Sequence, residues 1–440
     1  MRLQAAEHQQ PNSKVKAMKA KYACNSLEHS IGRRNFLGSL AGGAVVGGLG
    51  ALTNPAAAAE LTKQQMRVLV VFLAGGVSQL ETWDPKPKTN TGGPFRAIPT
   101  AVPGMHISEL LPMTAPHMDK LALVRSINTN NGDHGKGKYQ MEFGRNQMPG
   151  MEYPHLGAVC AKGLERSDNP LPGYIRVGSG SRGSDAAWLG PKYASVGIDG
   201  KPPANSERPS GLSEDVDMLR NKFRQKANER FLGQRRTAAT DIYTQSFEQA
   251  RDLMSKRDVF DVEKEPGSEK EKYGDSQLGK HCLMARRLLE NGIPFVQVSH
   301  RNYDTHYENF NFHIEQLGEF DRAFSALMGD LSDRGMMEST LVVVMSEFGR
   351  TPKINSRYGR DHWGKAWSVC LGGAKIQPGA IIGATNENGT AVSDREVDHG
   401  HLFHTYLSAV GMDSLGSFNI EGREMPLADP SHGPISELIV

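Results

Sequence analysis

Met66-Arg67-Val68-Leu69-Val70-Val71-Phe72-Leu73 is an almost unbroken apolar run that stops at Gly75-Gly76. A strand with one face in water alternates apolar and polar residues, whereas a strand buried on both faces reads as continuous Val, Leu and Ile. This run therefore predicts an interior strand of a sheet covered on both sides. Leu341-Val342-Val343-Val344-Met345 repeats the pattern, and Leu121-Ala122-Leu123-Val124-Arg125 and Phe295-Val296-Gln297-Val298 are shorter versions. Helical stretches separate them: Gly135–Phe143 closed by Gly144, Asp275–Asn291 closed by Gly292, and about Glu308 to Asp333. Strands alternating with helices predict a three-layer αβα sandwich with a mainly parallel central sheet. In such sheets the chemistry sits beyond the carboxyl ends of the strands. That rule selects the loops after Leu73, Val124, Val298 and Met345.

The N-terminus carries a different signal. Arg33-Arg34-Asn35-Phe36-Leu37 precedes a glycine-rich, weakly apolar stretch, Leu40 to Leu52, and Ala57-Ala58-Ala59 offers a small-residue cleavage site. The pattern reads as a twin-arginine export signal over residues 1–59, leaving 60–440 as the mature domain in the periplasm or outside the cell. The apolar stretch falls short of the roughly 20 residues of a membrane span. The whole chain of 440 residues has a formal charge of +2. Residues 1–59 hold seven basic and two acidic side chains, so the remainder has 44 basic against 47 acidic ones. No strong field invites nucleic acid or an acidic membrane. With Cys24 gone, Cys160, Cys282 and Cys370 remain, widely spaced. They permit at most one disulfide and fit better as buried small hydrophobes. Residues 178–257 read as an excursion: a Gly-, Ser- and Pro-rich surface stretch to 213, then charged helix.

Three of the four selected loops are rich in metal-type and acid–base groups. Ser299-His300-Arg301-Asn302-Tyr303-Asp304-Thr305-His306 places Asp304 and His306 two apart, on one side of an extended segment. Glu347 emerges directly after an apolar strand, with Arg350 a candidate partner. Gly359-Arg360-Asp361-His362-Trp363 adds a further histidine beside a carboxylate. Before the first helix, Asp133-His134-Gly135-Lys136-Gly137-Lys138 offers free N–H groups and lysines to an anion. If that helix continued, His134, Lys138 and Arg145 would share a face.

With the export signal and the turn Leu73-Ala74-Gly75-Gly76-Val77-Ser78-Gln79, the segments Asp304-Thr305-His306, Glu347-Phe348-Gly349-Arg350-Thr351-Pro352 and Arg360-Asp361-His362-Trp363 resemble a bacterial family catalogued as domain of unknown function fifteen-oh-one. That family is similar to the alkaline phosphatase and sulfatase superfamily, and the resemblance implies an alkaline phosphatase-like fold with a metal-centred hydrolytic site. By the same resemblance His134 stands at the nucleophile position, Lys138 at an inner arginine position, and Arg145 ends the block. Asp304, His306, Glu347 and His362 become the expected ligands of one divalent ion, with Asp133, His300, Arg350 and Asp361 as further candidates. Zn²⁺, Mn²⁺, Ca²⁺ and Mg²⁺ all suit these donors.

Three departures stand against a two-metal phosphatase centre. The first strand ends in Ala74-Gly75-Gly76 where relatives have a metal-binding Asp, Phe348 replaces a metal His, and the nucleophile position has no Ser, Thr or Cys. Three readings follow. The chain is an exported metal-dependent hydrolase of phosphate or sulfate esters acting on an anionic small molecule or glycan; a degenerate relative that binds an anionic glycan or envelope partner; or a structural envelope protein.

Overall fold

A computed structural model describes residues 65–166, 169–203, 206–232 and 238–440. The export signal and the cleavage site lie outside the described residues, as does Cys24. The eight-stranded sheet consists of β1 (Arg67–Leu73), β2 (Leu121–Ile127), β3 (Tyr174–Val177), β4 (Val196–Ile198), β5 (Phe295–His300), β6 (Thr340–Met345), β7 (Trp367–Gly372) and β8 (Ile381–Ile382). Their spatial order is β8-β2-β7-β6-β1-β5-β3-β4. β1 lies at the centre, parallel to β5 on one side and β6 on the other. Only β7 runs against the rest, paired antiparallel with both β2 and β6.

The described helices of eight or more residues are α1 (His134–Phe143), α2 (Leu156–Gly163), α3 (Glu214–Leu232), α4 (Ala238–Ser255), α5 (Gln277–Glu290), α6 (Asn309–Asp333) and α7 (His399–Ala409). Alternate residues of β1 serve two separate cores, as the two-residue period of a strand requires. Leu69, Val71 and Leu73 pack with Leu283 and Leu288 of α5 and Phe320, Phe324 and Leu327 of α6. Val68, Val70 and Phe72 pack with Val159 of α2 and Leu402, Phe403 and Tyr406 of α7. Helices therefore cover both faces of a mainly parallel sheet, the expected sandwich. No described helix is long and apolar enough to cross a membrane.

Cys160, Cys282 and Cys370 are buried free thiols. Differences from the sequence reading concern four strands. Val196–Ile198, inside the stretch expected to be surface loop, is the edge strand β4, pairing in parallel with β3. No expectation covered β3, β7 or β8 either, and β7 supplies the antiparallel member.

Candidate metal centre

The carboxyl ends of β1, β5 and β6 are adjacent, with Leu73 opposite His300 and Phe72 opposite Met345. Three loops therefore meet at one rim. The turn after β1 is held to the loop after β6 by Ser346, whose Oγ lies 3.1 Å from the N–H groups of both Gly76 and Val77. Gly75 donates its N–H to Glu347 Oε1 at 2.9 Å. Its φ of +118° already favours glycine, and a Cβ there would lie 2.5 Å from the backbone nitrogen of Asp304. The glycine is what lets the loop carrying Asp304 come down against the first turn.

Arg350, fully buried, locks that arrangement. Its Nε donates to Gly76 O at 2.8 Å, its Nη1 to Arg360 O at 3.0 Å and its Nη2 to Asp304 Oδ1 at 2.6 Å, with a further bond to Gly75 O. Burial opposes ionisation of Asp304, but the Arg350 guanidinium outweighs it through its hydrogen bond and its charge and holds the carboxyl well below the usual range. Asp304 is thus an anion with both oxygens turned to the rim.

Three imidazoles surround that anion. His306 Nε2 and His362 Nε2 each lie 3.1 Å from Asp304 Oδ1 and 2.9 Å from each other. His134 Nε2 lies 3.3 Å from Asp304 Oδ2. The opposite ring nitrogens are all committed. His362 Nδ1 sits 2.7 Å from Gly132 O, and since a carbonyl only accepts, this nitrogen carries a proton. His306 Nδ1 donates to Asp361 Oδ1 at 2.8 Å; the bond from His306 is the main reason the Asp361 carboxyl is depressed, so it too accepts. His134 Nδ1 donates to Glu347 Oε1 at 2.8 Å. With a proton on each Nδ1, the remaining ring nitrogens of His306 and His362 face each other and the Asp304 oxygen. Such a set repels itself unless a proton or a cation sits among the three atoms. Orientation of a ligand histidine by a carboxylate or carbonyl behind it is the usual outer support of a metal site. His134, Asp304 and His362 also form a compact donor group, with one atom from each lying within 4.8 Å of the others.

α1 delivers His134 at its first turn. Asp133 caps the helix by accepting from Lys136 N at 2.9 Å, and Gly144 ends it with φ +65°. A Cβ at Gly137 would lie 2.8 Å from Glu347 O, so the helix rests directly on the β6 loop. Its far end is pinned by buried Glu142, which accepts from Gln297 Nε2 at 3.0 Å and Arg176 Nη2 at 3.4 Å. The hydrogen bond to Glu347 is the largest reason the His134 pKa is raised; burial works against it.

The expected residues thus fall into distinct places. Asp304, His306, His362 and His134 converge; Glu347 and Asp361 stand behind His134 and His306, and Arg350 behind Asp304. Lys138 follows His134 by one turn, its ammonium 5.2 Å from the Phe72 ring centre and 3.8 Å from Glu142; burial lowers its pKa. Arg145 is elsewhere: the helix stops at Gly144, and Arg145 donates to Pro426 O at 3.2 Å and to Ala428 O. His300 is buried against Tyr303 Oη at 2.9 Å. Asp133 serves as a cap. Phe348 is wholly buried, its ring 4.5 Å from that of His362 and 4.9 Å from that of His134.

Sequence reasoning missed Ser346, signalled only by its place before Glu347, and a second His/Asp cluster of Asp398, His401 and His432. The run Asp398-His399-Gly400-His401 could have flagged that cluster. There Asp398 caps α7: Oδ1 accepts from Gly400 N at 3.0 Å and His401 N at 3.2 Å and Oδ2 from His432 Nε2 at 3.0 Å, while His401 Nδ1, 2.8 Å from Oδ1, also faces the Asp398 backbone N–H at 3.4 Å in a capping box.

A mainly parallel αβα sandwich with a histidine–aspartate group at its carboxyl rim defines the class of this protein. The chain belongs to the family described as Protein of unknown function (DUF1501), whose model matches residues 65–439. No curated protein matches the sequence. Among solved structures it is similar to the lipoteichoic acid synthase LtaP from Listeria monocytogenes, at 7% identity and TM-score 0.38, covering 83% of this chain and 75% of that one. It is also similar to the PsFucS1 sulfatase from Pseudoalteromonas sp., at 13% identity and TM-score 0.37, covering 82% and 71%. The alkaline phosphatase from the Antarctic bacterium TAB5 matches at 12% identity and TM-score 0.34, covering 78% and 98%. These likenesses are distant.

Proposed function

We propose that residues 60–440 form an exported, metal-dependent hydrolase of phosphate or sulfate esters, with an anionic small molecule or glycan ester as substrate. The observation that carries this reading is the convergence of His306 Nε2, His362 Nε2 and Asp304 Oδ1, each ring locked with this nitrogen inward. One divalent cation held by these three residues would polarise an ester oxygen and acidify a bound water. The chain's own groups supply the rest. Asp361 and Gly132 O fix the two ligand tautomers. His134, held through Nδ1 by Glu347, presents Nε2 at the rim and moves a proton to or from the reacting oxygen. Lys138 contributes positive charge one turn further along α1, and Phe348 keeps water from the inner side of the rings. Residues 1–59 serve as the twin-arginine signal, so Arg33→Lys with Arg34→Lys is expected to abolish export; normal export of that variant removes the periplasmic assignment.

The test is elemental analysis of folded protein combined with hydrolysis of p-nitrophenyl sulfate and p-nitrophenyl phosphate, with and without chelator. Bound divalent metal and chelator-sensitive turnover support the reading. One observation favours the degenerate alternative: Arg145, the second expected anion-holding cation, is spent on backbone carbonyls. Metal without turnover on any ester would favour a binding protein, and absence of metal would remove the hydrolase reading altogether.

A further inference from the structure

Glu81 and Arg360 form an ion pair that is wholly buried, and neither has a place in the site described so far. Burial works against the charge on Glu81, and the Arg360 guanidinium leads the groups that nonetheless hold its carboxyl below the ordinary range. An arginine carries five N–H donors in a rigid fork. Arg360 uses all of them. Its Nε and Nη2 donate to Glu81 Oε1 at 3.2 and 2.9 Å, Nη2 also donates to Thr91 O at 2.7 Å, and Nη1 donates to Thr351 O at 3.1 Å and Pro352 O at 2.5 Å. One guanidinium thus fastens the turn after β1, the segment at Thr91 and the loop after β6 in a single orientation. A buried ion pair is weak evidence for stability, since apolar replacements are often neutral. What it supplies here is one fixed geometry.

The geometry in question is that of both inward-facing histidines. The Arg360 N–H donates to Thr305 O at 3.0 Å, and a Cβ on Gly359 would lie 2.1 Å from the backbone of His306. On the other side, Asp361 accepts from His306 Nδ1 at 2.8 Å, and His362 pairs antiparallel with Arg350. Arg360 therefore stands between the two rings whose Nε2 atoms meet at 2.9 Å. We propose that Glu81 and Arg360 are positioning residues: neither reaches the ion or the ester, and together they hold His306 and His362 at the separation a shared cation needs. The purpose rests on the hydrolase reading above, whereas the placement can be tested without metal.

Two variants of the full chain carry the test. Arg360→Lys keeps the charge and loses the fork. Glu81→Gln combined with Arg360→Met removes both charges, so no lone ion is left buried. The first readout is NMR of chelated protein with ¹⁵N-labelled histidine at about pH 8, where an unperturbed imidazole is neutral. Wild type is expected to show His306 and His362 each with a fixed proton on Nδ1. Both variants are expected to show tautomer exchange at these two rings, with His401 and His432 unchanged. The second readout is Zn²⁺ titration, in which the variants should lose about tenfold in affinity. Fixed His306 and His362 rings in a folded variant would overturn the proposal. Equal change at His401 and His432 would mean general loosening and overturn it too. If neither variant folds, the pair serves stability and the proposal falls. A wild type with fixed rings and no bound Zn²⁺, beside variants with exchanging rings, would remove the hydrolase reading and leave the placement standing.

Discussion

The molecule holds two clusters of histidine around an aspartate, and they are opposites. At Asp398 the carboxylate oxygens receive N–H groups, two from the backbone of α7 and one from the His432 ring, and the His401 ring closes a capping box with the Asp398 N–H. The positive end of the helix points at them. Such a group is complete without an ion. At Asp304 the Nδ1 protons of the histidines point away, to Glu347, Asp361 and Gly132 O, and the Nε2 atoms of His306 and His362 point in. The composition is alike, and the direction of the hydrogen bonds separates a helix cap from a candidate metal centre.

Two substitutions of equal chemistry would break or confirm that contrast. His362→Ala is expected to lower metal affinity by at least about 100-fold, because losing a ligand costs more than losing the partner that orients it. His401→Ala should leave affinity unchanged. Titration of metal-free protein with Zn²⁺ and Mn²⁺ decides it, and comparable losses in both variants would erase the distinction.

His300 belongs to neither cluster and isolates the effect of burial. Burial, and secondarily His281, brings its pKa down to about 4 from 6.5. The exposed Glu319 carboxylate 3.4 Å away does not offset this. The unfolded chain then binds a proton that the folded chain refuses. Stability from this residue is full above pH 6.5 and falls as pH drops toward 4, by up to about 3 kcal/mol. Urea unfolding of chelated protein across that window should be steeper in wild type than in His300→Asn, and parallel curves would refute it.

Asp361→Asn probes the outer support of the metal centre. An amide can present either its N–H₂ or its oxygen to His306, so the tautomer is no longer fixed, and metal affinity should fall about tenfold. Metal content in dialysed protein reads this directly; an unchanged content would mean that Asp361 merely solvates the ring.

How much of this was legible in the sequence depends on the range of the interaction. Continuous apolar runs announced β1 and β6, and Gly144 and Gly292 marked helix ends, because burial and left-handed backbone leave local traces. The gathering of Asp304, His306 and His362 was expected from strand-end placement together with the family resemblance. Arg145 was misplaced because counting offsets along α1 assumed a helix that Gly144 terminates one residue earlier. Glu347 was expected beside the ion, since a strand end fixes a residue's rim but not what stands between it and the centre; here that is His134. The tautomers that distinguish the two clusters depend on neighbours such as Gly132 and Asp361, brought together only in the folded chain, and no spacing encodes them.

The smallest effect tests the cap itself. Asp398 satisfies two of the orphan N–H groups at the start of α7, and α7 packs Leu402, Phe403 and Tyr406 into the core on one side of the sheet. Asp398→Ala removes those bonds and should cost about 1–2 kcal/mol of stability, the upper part of the usual range for a cap because the His432 ring also loses its acceptor. Asp398→Asn keeps an oxygen for the backbone N–H groups and should recover most of the loss. Chemical unfolding measures both, and metal affinity at the distant Asp304 should be the same in each. A cap acts on folding alone. If Asp398→Ala instead lowered bound metal while leaving the unfolding midpoint in place, Asp398 would be a ligand, and the two clusters would be alike after all.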